Sequence, residues 1–236
     1  MILRISFLSF IIAAPLAAQT SDTEPGPYAR IVTIAPKPGQ AQAFDEGYER
    51  HIEWHRANGD PWTWYGWSFV LGPRIGRFMD GSFGHAAADF DRSVNPAGDG
   101  ADNDANVTPY ADFVSHGVYR RLESASRGAA LPDTNSYLVL ATYRVAPGRE
   151  AEFEAAIAAP AAAGGATPGG DRWSWYRLEM GGTGPEYLLM RGVPSWEAAV
   201  AAVERPALRL SAGTVETATS ELLAFRPTHS LVHDRE

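Results

Sequence analysis

The sequence predicts an α+β protein in which two tandem units share the element order βαββαβ. Three observations lead to this prediction: the length of the chain, its ordinary apolar fraction, and blocks of sequence that recur in the same order. The chain has 236 residues, of which 45% are hydrophobic. These values suit one large domain or two small ones with a buried core, and they exclude wholesale disorder.

The recurring blocks indicate an internal duplication. Residues 28–35 and 137–144 are both rich in β-branched and aromatic residues, and each is followed by Pro-Gly and Phe, at an offset of 109. The motifs Trp-Thr-Trp-Tyr at 62–65 and Trp-Ser-Trp-Tyr at 173–176 match at an offset of 111, as do Met79-Asp-Gly81 and Met190-Arg-Gly192. Three blocks in one order with near-constant spacing are typical of a repeated structural unit.

The first unit is expected to begin with a strand over 28–35 that ends at a Pro-Gly turn. A helix over 40–57 follows, because Phe44, Tyr48 and Ile52 recur at helical spacing. The remaining predicted elements are a hairpin of 64–71 and 77–79, a helix over 109–121 and a closing strand near 121–124.

The second unit repeats this order. We expect a strand over 137–145, a helix over 149–160 and a hairpin of 173–180 and 187–191. Ser195 is a suitable cap for a helix that includes 198–203. The closing strand is expected over 222–225. Each unit is therefore a split βαβ arrangement.

The domain boundaries follow from these elements: a first repeat over 24–130 and a second over 134–233. The acidic segment 91–109 is expected to be a solvated loop, which would act as a lid over the first repeat if it were ordered. Its Asp102, Asp104 and Asn106 have the alternating spacing of calcium ligands. Positions 107 and 113 carry Val and Phe where the calcium-loop template needs Gly and Glu, so the template fails.

Residues 1–18 have the pattern of a secretory signal peptide: a short positive start, an apolar run and small residues for cleavage. We expect cleavage after Ala18 and a periplasmic or secreted mature chain without a membrane partner. An uncleaved membrane anchor is the alternative.

Composition excludes several kinds of chemistry. The net charge is −8, and no basic cluster is present, so nucleic acid is not an expected partner. The chain has no cysteine, which excludes thiol catalysis, thiolate metal sites and disulfides. Lys37 is the only lysine and lies in a proline-rich turn, which argues against Schiff-base and P-loop chemistry.

Two such units in tandem resemble a fused member of the dimeric α+β barrel (ferredoxin-like) superfamily, over roughly residues 28–232. This superfamily includes antibiotic-biosynthesis-type monooxygenases, NIPSNAP-like proteins and haem-binding relatives of chlorite dismutase. The resemblance implies an intramolecular pseudo-dimeric barrel with its helices outside and a ligand in the cleft between a sheet and its helices. It leaves the chain a monomer or a homo-oligomer. The resemblance rests on element order and duplication, so it concerns fold more than function.

The two copies differ in chemistry, because four of the six histidines lie in the first copy. His51 and His55 are four residues apart, so they share one face of the predicted helix. We name them, with His116, as catalytic candidates. The pair could also be hydrogen-bonded core residues, metal ligands or a source of a haem axial ligand, so haem stays open and no metal ligand is assigned.

A ligand cleft needs aromatic side chains and a few polar groups, and the first copy offers both. His116 and Tyr119 are three apart on the predicted helix 109–121, so we expect them on one face, converging with the histidine pair. The predicted ligand contacts are Tyr48, Trp54, Trp62, Trp67, Arg74 and Tyr119.

Two classes of function compete. The first is an exported protein that binds a small hydrophobic or aromatic ligand in the first-repeat cleft, acting as an oxygenase-like enzyme. The second is a non-enzymatic periplasmic protein that binds haem or has a structural or interaction role. The sequence does not decide whether the protein is an enzyme.

Overall fold

The computed structural model describes residues 25–130, 132–162, 172–203 and 208–233. The predicted signal segment 1–18 lies outside these ranges. Within them no helix is long and apolar enough to cross a membrane. The elements are β1 (Tyr28–Pro36), α1 (Ala41–Ala57), β2 (Trp64–Leu71), β3 (Phe78–His85), α2 (Pro96–Asn106), β4 (Ala111–Arg121), β5 (Tyr137–Val145), α3 (Glu150–Ala162), β6 (Ser174–Met180), β7 (Glu186–Val193), α4 (Trp196–Val203) and β8 (Val215–Phe225).

The eight strands form a closed barrel in the order β1-β3-β2-β8-β5-β7-β6-β4, and all neighbours are antiparallel. In the first half β1 pairs with β3 and β4, and β2 pairs with β3. The second half has the corresponding pairs β5 with β7 and β8, and β6 with β7. The β2–β8 and β4–β6 pairs join the halves.

Side chains alternate between the inside of the barrel and the helix layer. Ile31 of β1 belongs to the inner core, whereas Val32 and Ile34 pack outward against α1. The outer core under α1 also contains Phe44 and Tyr48. This packing turns one face of α1 towards the sheet.

The two Trp-x-Trp-Tyr motifs begin the second strand of each half, but their registers differ. In the first half, Met79 of β3 lies opposite Thr33 of β1 and Trp67 of β2. In the second half, Leu188 of β7 lies in the same way opposite Thr142 of β5 and Tyr176 of β6. Strand pairing therefore matches Trp67 with Tyr176, at an offset of 109, whereas the motif comparison at 111 matched Tyr65 with Tyr176. Trp67 therefore has an aromatic counterpart in the second half.

Two first-repeat predictions are also wrong. The segment predicted as the helix 109–121 forms β4, and the helix lies in the acidic segment 91–109, which was expected to be a loop. α2 begins after Asn95, whose side chain accepts a hydrogen bond from Gly98 N at 3.2 Å, and Pro96 occupies the first helical position. A capped start with proline stabilises this helix, although its sequence is acidic and poor in apolar residues.

Candidate metal centre

α1 directs two histidines into the space between itself, α2 and the sheet. His51 and His55 are each 5% exposed and belong to the buried face of α1. They lie one helical turn apart, so both imidazoles emerge on the same side. α2 packs across α1 at this level and brings Asp99, Asp102 and Asn103 to the histidine pair.

Three potential ligand atoms form a small triangle. The Nε2 atoms of His51 and His55 are 3.2 Å apart. Asp99 Oδ1 lies 3.5 Å from the first and 3.7 Å from the second. An ion with metal–ligand bonds of 2.0–2.1 Å holds tetrahedral ligands about 3.3 Å apart. The triangle therefore has the dimensions of one face of a tetrahedral coordination site.

Each imidazole is oriented by a carboxylate on its other nitrogen. His51 Nδ1 lies 2.8 Å from Asp102 Oδ2, and His55 Nδ1 lies 2.7 Å from Asp60 Oδ2. Because an ionised carboxylate only accepts, each Nδ1 carries the hydrogen, and both Nε2 lone pairs face one another. Such carboxylate–histidine pairs are characteristic of ligands that present Nε2 to a metal.

The supporting residues are themselves held in place. Asp60 accepts hydrogen bonds from the Trp64 indole and the Trp62 backbone N–H, both at 2.9 Å. Asn103 Nδ2 lies 2.9 Å from Asp99 Oδ1 and 3.2 Å from His51 Nε2. The Asn103 amide therefore donates to Asp99 and holds this carboxylate beside His51.

The electrostatics favour a neutral His51 imidazole and an ionised Asp60 carboxylate. Burial lowers the pKa of His51 and outweighs the hydrogen bond to Asp102, which raises it. Burial would raise the pKa of Asp60, but hydrogen bonds from His55, Trp62 and Trp64 lower it below its ordinary value. Neutral imidazole is the form that binds metal.

A buried acid lies beneath this centre. Tyr48 donates a hydrogen bond of 2.7 Å to Asp80 Oδ2. Burial raises the pKa of Asp80 to about 6, although Tyr48 and Arg30 oppose the shift. In the part of the chain that the structure describes, Asp80 Oδ1 has no hydrogen-bond partner.

No protein-family model matches the chain, and no curated protein sequence matches it. Solved structures do. A "putative monooxygenase" of Lactobacillus acidophilus has a TM-score of 0.56 at 13% identity, covering 89% of this chain and 100% of that one. A mutant chlorite dismutase of Candidatus Nitrospira defluvii has 0.53 at 9% identity, over 88% and 94%. An anthrone oxidase-like protein has 0.51 at 12%, over 84% and 91%.

This chain has the dimeric α+β barrel fold. The three likenesses cover most of each chain, and they establish the fold alone. They do not show a specific similarity to NIPSNAP-like proteins, which stays a prediction.

Within this α+β barrel, His116 and Tyr119 do not share a face. A strand has a period of two, so residues three apart point to opposite sides. His116 lies opposite Val32 on the helix side, where its Nε2 accepts a 2.6 Å hydrogen bond from Arg30 Nε. Tyr119 packs against the inner core. The predicted common face was wrong because the segment is a strand.

The predicted ligand contacts separate into four environments. Trp54 stacks on His51 with ring centroids 6.4 Å apart, and Tyr48 lies beneath the pair. Trp62 contacts His85 and Trp64 outside the sheet. Trp67 is 1% exposed in the inner core. Arg74 and Tyr119 line a cavity at one end of the barrel. These six residues do not line one common cleft.

The first-repeat cleft is filled by protein side chains. Phe44, Tyr48, Ile52, Trp64 and Phe78 are buried between α1 and the sheet. The space that remains between the two histidines and Asp99 therefore suits an ion and not an organic ligand.

Haem does not fit the histidine pair. An axial imidazole needs the broad porphyrin plane beside its Nε2. Here each Nε2 faces the other at 3.2 Å and Asp99 within 3.7 Å, and both rings are 5% exposed.

Sequence reasoning missed Asp60 and Asp99, and it named Asp102 only for its calcium-like spacing. The calcium-like spacing of residues 102, 104 and 106 pointed to a different set of oxygen ligands, which does not include Asp60 or Asp99. Helical spacing could have indicated this group, because Asp99, Asp102 and Asn103 lie three and four residues apart and so share one face of a helix.

Proposed function

We propose that the first repeat binds a divalent transition-metal ion through His51, His55 and Asp99, and that the protein is an exported metalloprotein. The observation that carries this proposal is the triangle of two Nε2 atoms and one carboxylate oxygen, with separations of 3.2–3.7 Å. Two facing lone pairs repel one another unless a proton or a cation lies between them. A metal ion would also bind the Asp99 carboxylate, which otherwise accepts a 2.9 Å hydrogen bond from Asn103.

The donor set indicates the class of ion. Two imidazoles and one carboxylate suit Zn²⁺ and Fe²⁺, whereas Ca²⁺ and Mg²⁺ prefer oxygen ligands. Such a set leaves coordination positions open for water or substrate. An oxygenase-like reaction on a small molecule is the finer proposal, supported by this open donor set and by the fold shared with proteins named as monooxygenases.

The first experiment measures metal in the purified protein and titrates the chelator-treated protein with Zn²⁺ and Co²⁺. We expect about one ion per chain. The variants His51→Ala, His55→Ala and Asp99→Asn should lose it. His116→Ala and Asp104→Asn are matched controls outside the triangle and should bind as the wild type. Failure of the wild type to bind either ion, or equal binding by the triangle variants, contradicts the proposal.

The second experiment separates an open centre from a purely structural one. The visible spectrum of the Co²⁺-loaded protein is recorded before and after addition of azide. An open coordination position admits azide and changes the spectrum, which supports the enzyme class. An unchanged spectrum supports the alternative, a structural metal that fastens α2 to α1. A haem titration in parallel should show no Soret shift that depends on His51 or His55.

Export is proposed from the pattern of residues 1–18. Expression of the full chain in a bacterium, cell fractionation and N-terminal sequencing test it. We expect a periplasmic or secreted chain that begins after Ala18. A chain that keeps Met1 in the cytoplasm contradicts this proposal.

A tandem duplication that forms a monomeric pseudo-dimer is proposed from the corresponding strand pairs of the two halves. The closed order of the described strands pairs every sheet edge internally, so the sheet needs no second copy. Sedimentation equilibrium should give the mass of one mature chain, and a stable dimer would contradict the monomer.

A further inference from the structure

A cavity of about 240 Å³ lies inside one end of the barrel, separate from the metal centre. Its inner wall is apolar, formed by Ile31, Met79, Leu140 and Leu188, all members of the inner core. Its rim is polar and includes Arg74, Ser115, Tyr119, Thr142, Arg144 and Glu186. Small-molecule sites combine apolar walls with a few fixed polar groups, and this cavity has an apolar inner wall beneath a polar rim.

Both repeats contribute corresponding positions to this cavity. Thr33 lies opposite Met79 in the first half, and Thr142 lies opposite Leu188 in the second. All four residues line the same space. The cavity is therefore a feature of the joined barrel and not of the first-repeat cleft.

The charge of Arg74 is already neutralised. Its Nε donates a 2.7 Å hydrogen bond to Glu221, and its Nη2 contacts the same carboxylate oxygen. The guanidinium also lies 4.4 Å above the centre of the Phe69 ring. The Glu221 side chain is 1% exposed, so this pair is fixed in place.

Arg144 is less completely neutralised. Its Nη1 donates to the carbonyl and hydroxyl oxygens of Thr183 at 2.6 and 2.9 Å, and its Nη2 lies 3.3 Å from Glu186. Glu186 also accepts a 3.0 Å hydrogen bond from Tyr119. These contacts use only part of the five N–H groups of a guanidinium. The side chain is 35% exposed, at the entrance to the cavity.

We propose that this cavity binds a small monocarboxylate with an apolar body. The carboxylate pairs with Arg144 at the rim, and the apolar body lies against Leu140 and Leu188. A guanidinium presents paired N–H groups that match a carboxylate. The apolar inner wall favours a hydrocarbon or aromatic body over a sugar or phosphate.

The probe is 2-naphthoate, whose fluorescence is followed during titration into the full-length protein, with and without EDTA. We expect saturable binding that does not depend on the metal. Arg144→Met should raise the dissociation constant about tenfold or more, as expected for loss of a charged hydrogen bond. Ser115→Phe should also weaken binding, because Ser115 is an exposed residue of β4 that lines the cavity, and the phenyl ring would fill part of it.

Arg92→Met is the matched control, since Arg92 is exposed on the helix side of the first repeat and should bind 2-naphthoate as the wild type. Circular dichroism shows whether each variant is folded. Naphthalene-2-methanol, which lacks the charge, should bind at least tenfold more weakly than 2-naphthoate. Equal binding of the two probes, equal binding by Arg144→Met and Ser115→Phe, or no binding by the wild type would overturn the proposal.

Discussion

A β-carbon on Gly47 would overlap the carbonyl oxygen of Asn106. This contact brings the end of α2 directly onto α1, one turn before His51. The close approach explains why α2 reaches the histidine pair with Asp99 and Asp102, and why a residue without a side chain occupies position 47.

Gly47→Ala should therefore destabilise the protein and weaken metal binding together. Forcing a methyl group into a packed contact costs roughly 1–3 kcal/mol of unfolding free energy. Urea denaturation and Zn²⁺ titration measure the two effects. Gly100→Ala is the control, because a β-carbon at this helical position meets nothing within 4 Å. It should stabilise α2 by about 0.5–1 kcal/mol. Equal stability of the two variants would argue against the contact.

Asp102→Asn should lower metal affinity without removing a ligand. The asparagine no longer offers a charged acceptor to His51 Nδ1, so the imidazole is held and polarised less well. Loss of such a partner lowers metal affinity about 10–100-fold. Competition with a chromogenic chelator gives the affinity. Asp104→Asn, on the same helix, should leave it unchanged, and a similar loss in both variants would indicate a general charge effect.

Asp80 should make stability fall as the pH rises from about 4 to about 6. Its pKa is about 6 in the folded protein and 3.8 ordinarily. The folded state therefore binds the proton more tightly than the unfolded chain, and this stabilisation is lost as pH rises through that window. The full effect is about 3 kcal/mol.

Asp80→Asn should remove this loss, since the amide does not ionise and its oxygen still accepts from Tyr48. We expect greater stability than the wild type at pH 7, by a margin that grows between pH 4 and 6, measured by urea denaturation in EDTA. Asp91→Asn, at an exposed position, is the control. If the difference in stability between Asp80→Asn and the wild type stays constant from pH 4 to pH 6, the assignment is contradicted.

Arg74→Met should destabilise the barrel because Glu221 is left buried without its cation. Removing one partner of a buried pair costs about 2–4 kcal/mol, allowing for the partial exposure of Arg74. The double variant Arg74→Met with Glu221→Gln should recover part of this loss. Arg56→Met removes the exposed pair with Glu53 and should cost under about 1 kcal/mol. Thermal unfolding of the four proteins tests the difference.

Local sequence was sufficient to predict several elements of this fold. The strand over 28–35, the helix over 40–57 and the shared face of His51 and His55 depend on residues a few positions apart. Periodicity and turn residues record such relations directly. The same reasoning failed for 91–121, where an acidic segment forms α2 and the predicted helix forms β4. The cap at Asn95 stabilises α2 despite its few apolar residues. Pairing with β1 makes residues 111–121 a strand despite their helical spacing.

By itself, the sequence determined the order of most elements and the histidine pair on α1. Tertiary structure alone decided the partners of that pair, because Asp99 and Asp102 are about fifty residues away and reach it only through the docking of α2 at Gly47. It also decided that Trp67 matches Tyr176, since strand register depends on pairing across the sheet and not on the motif within one strand.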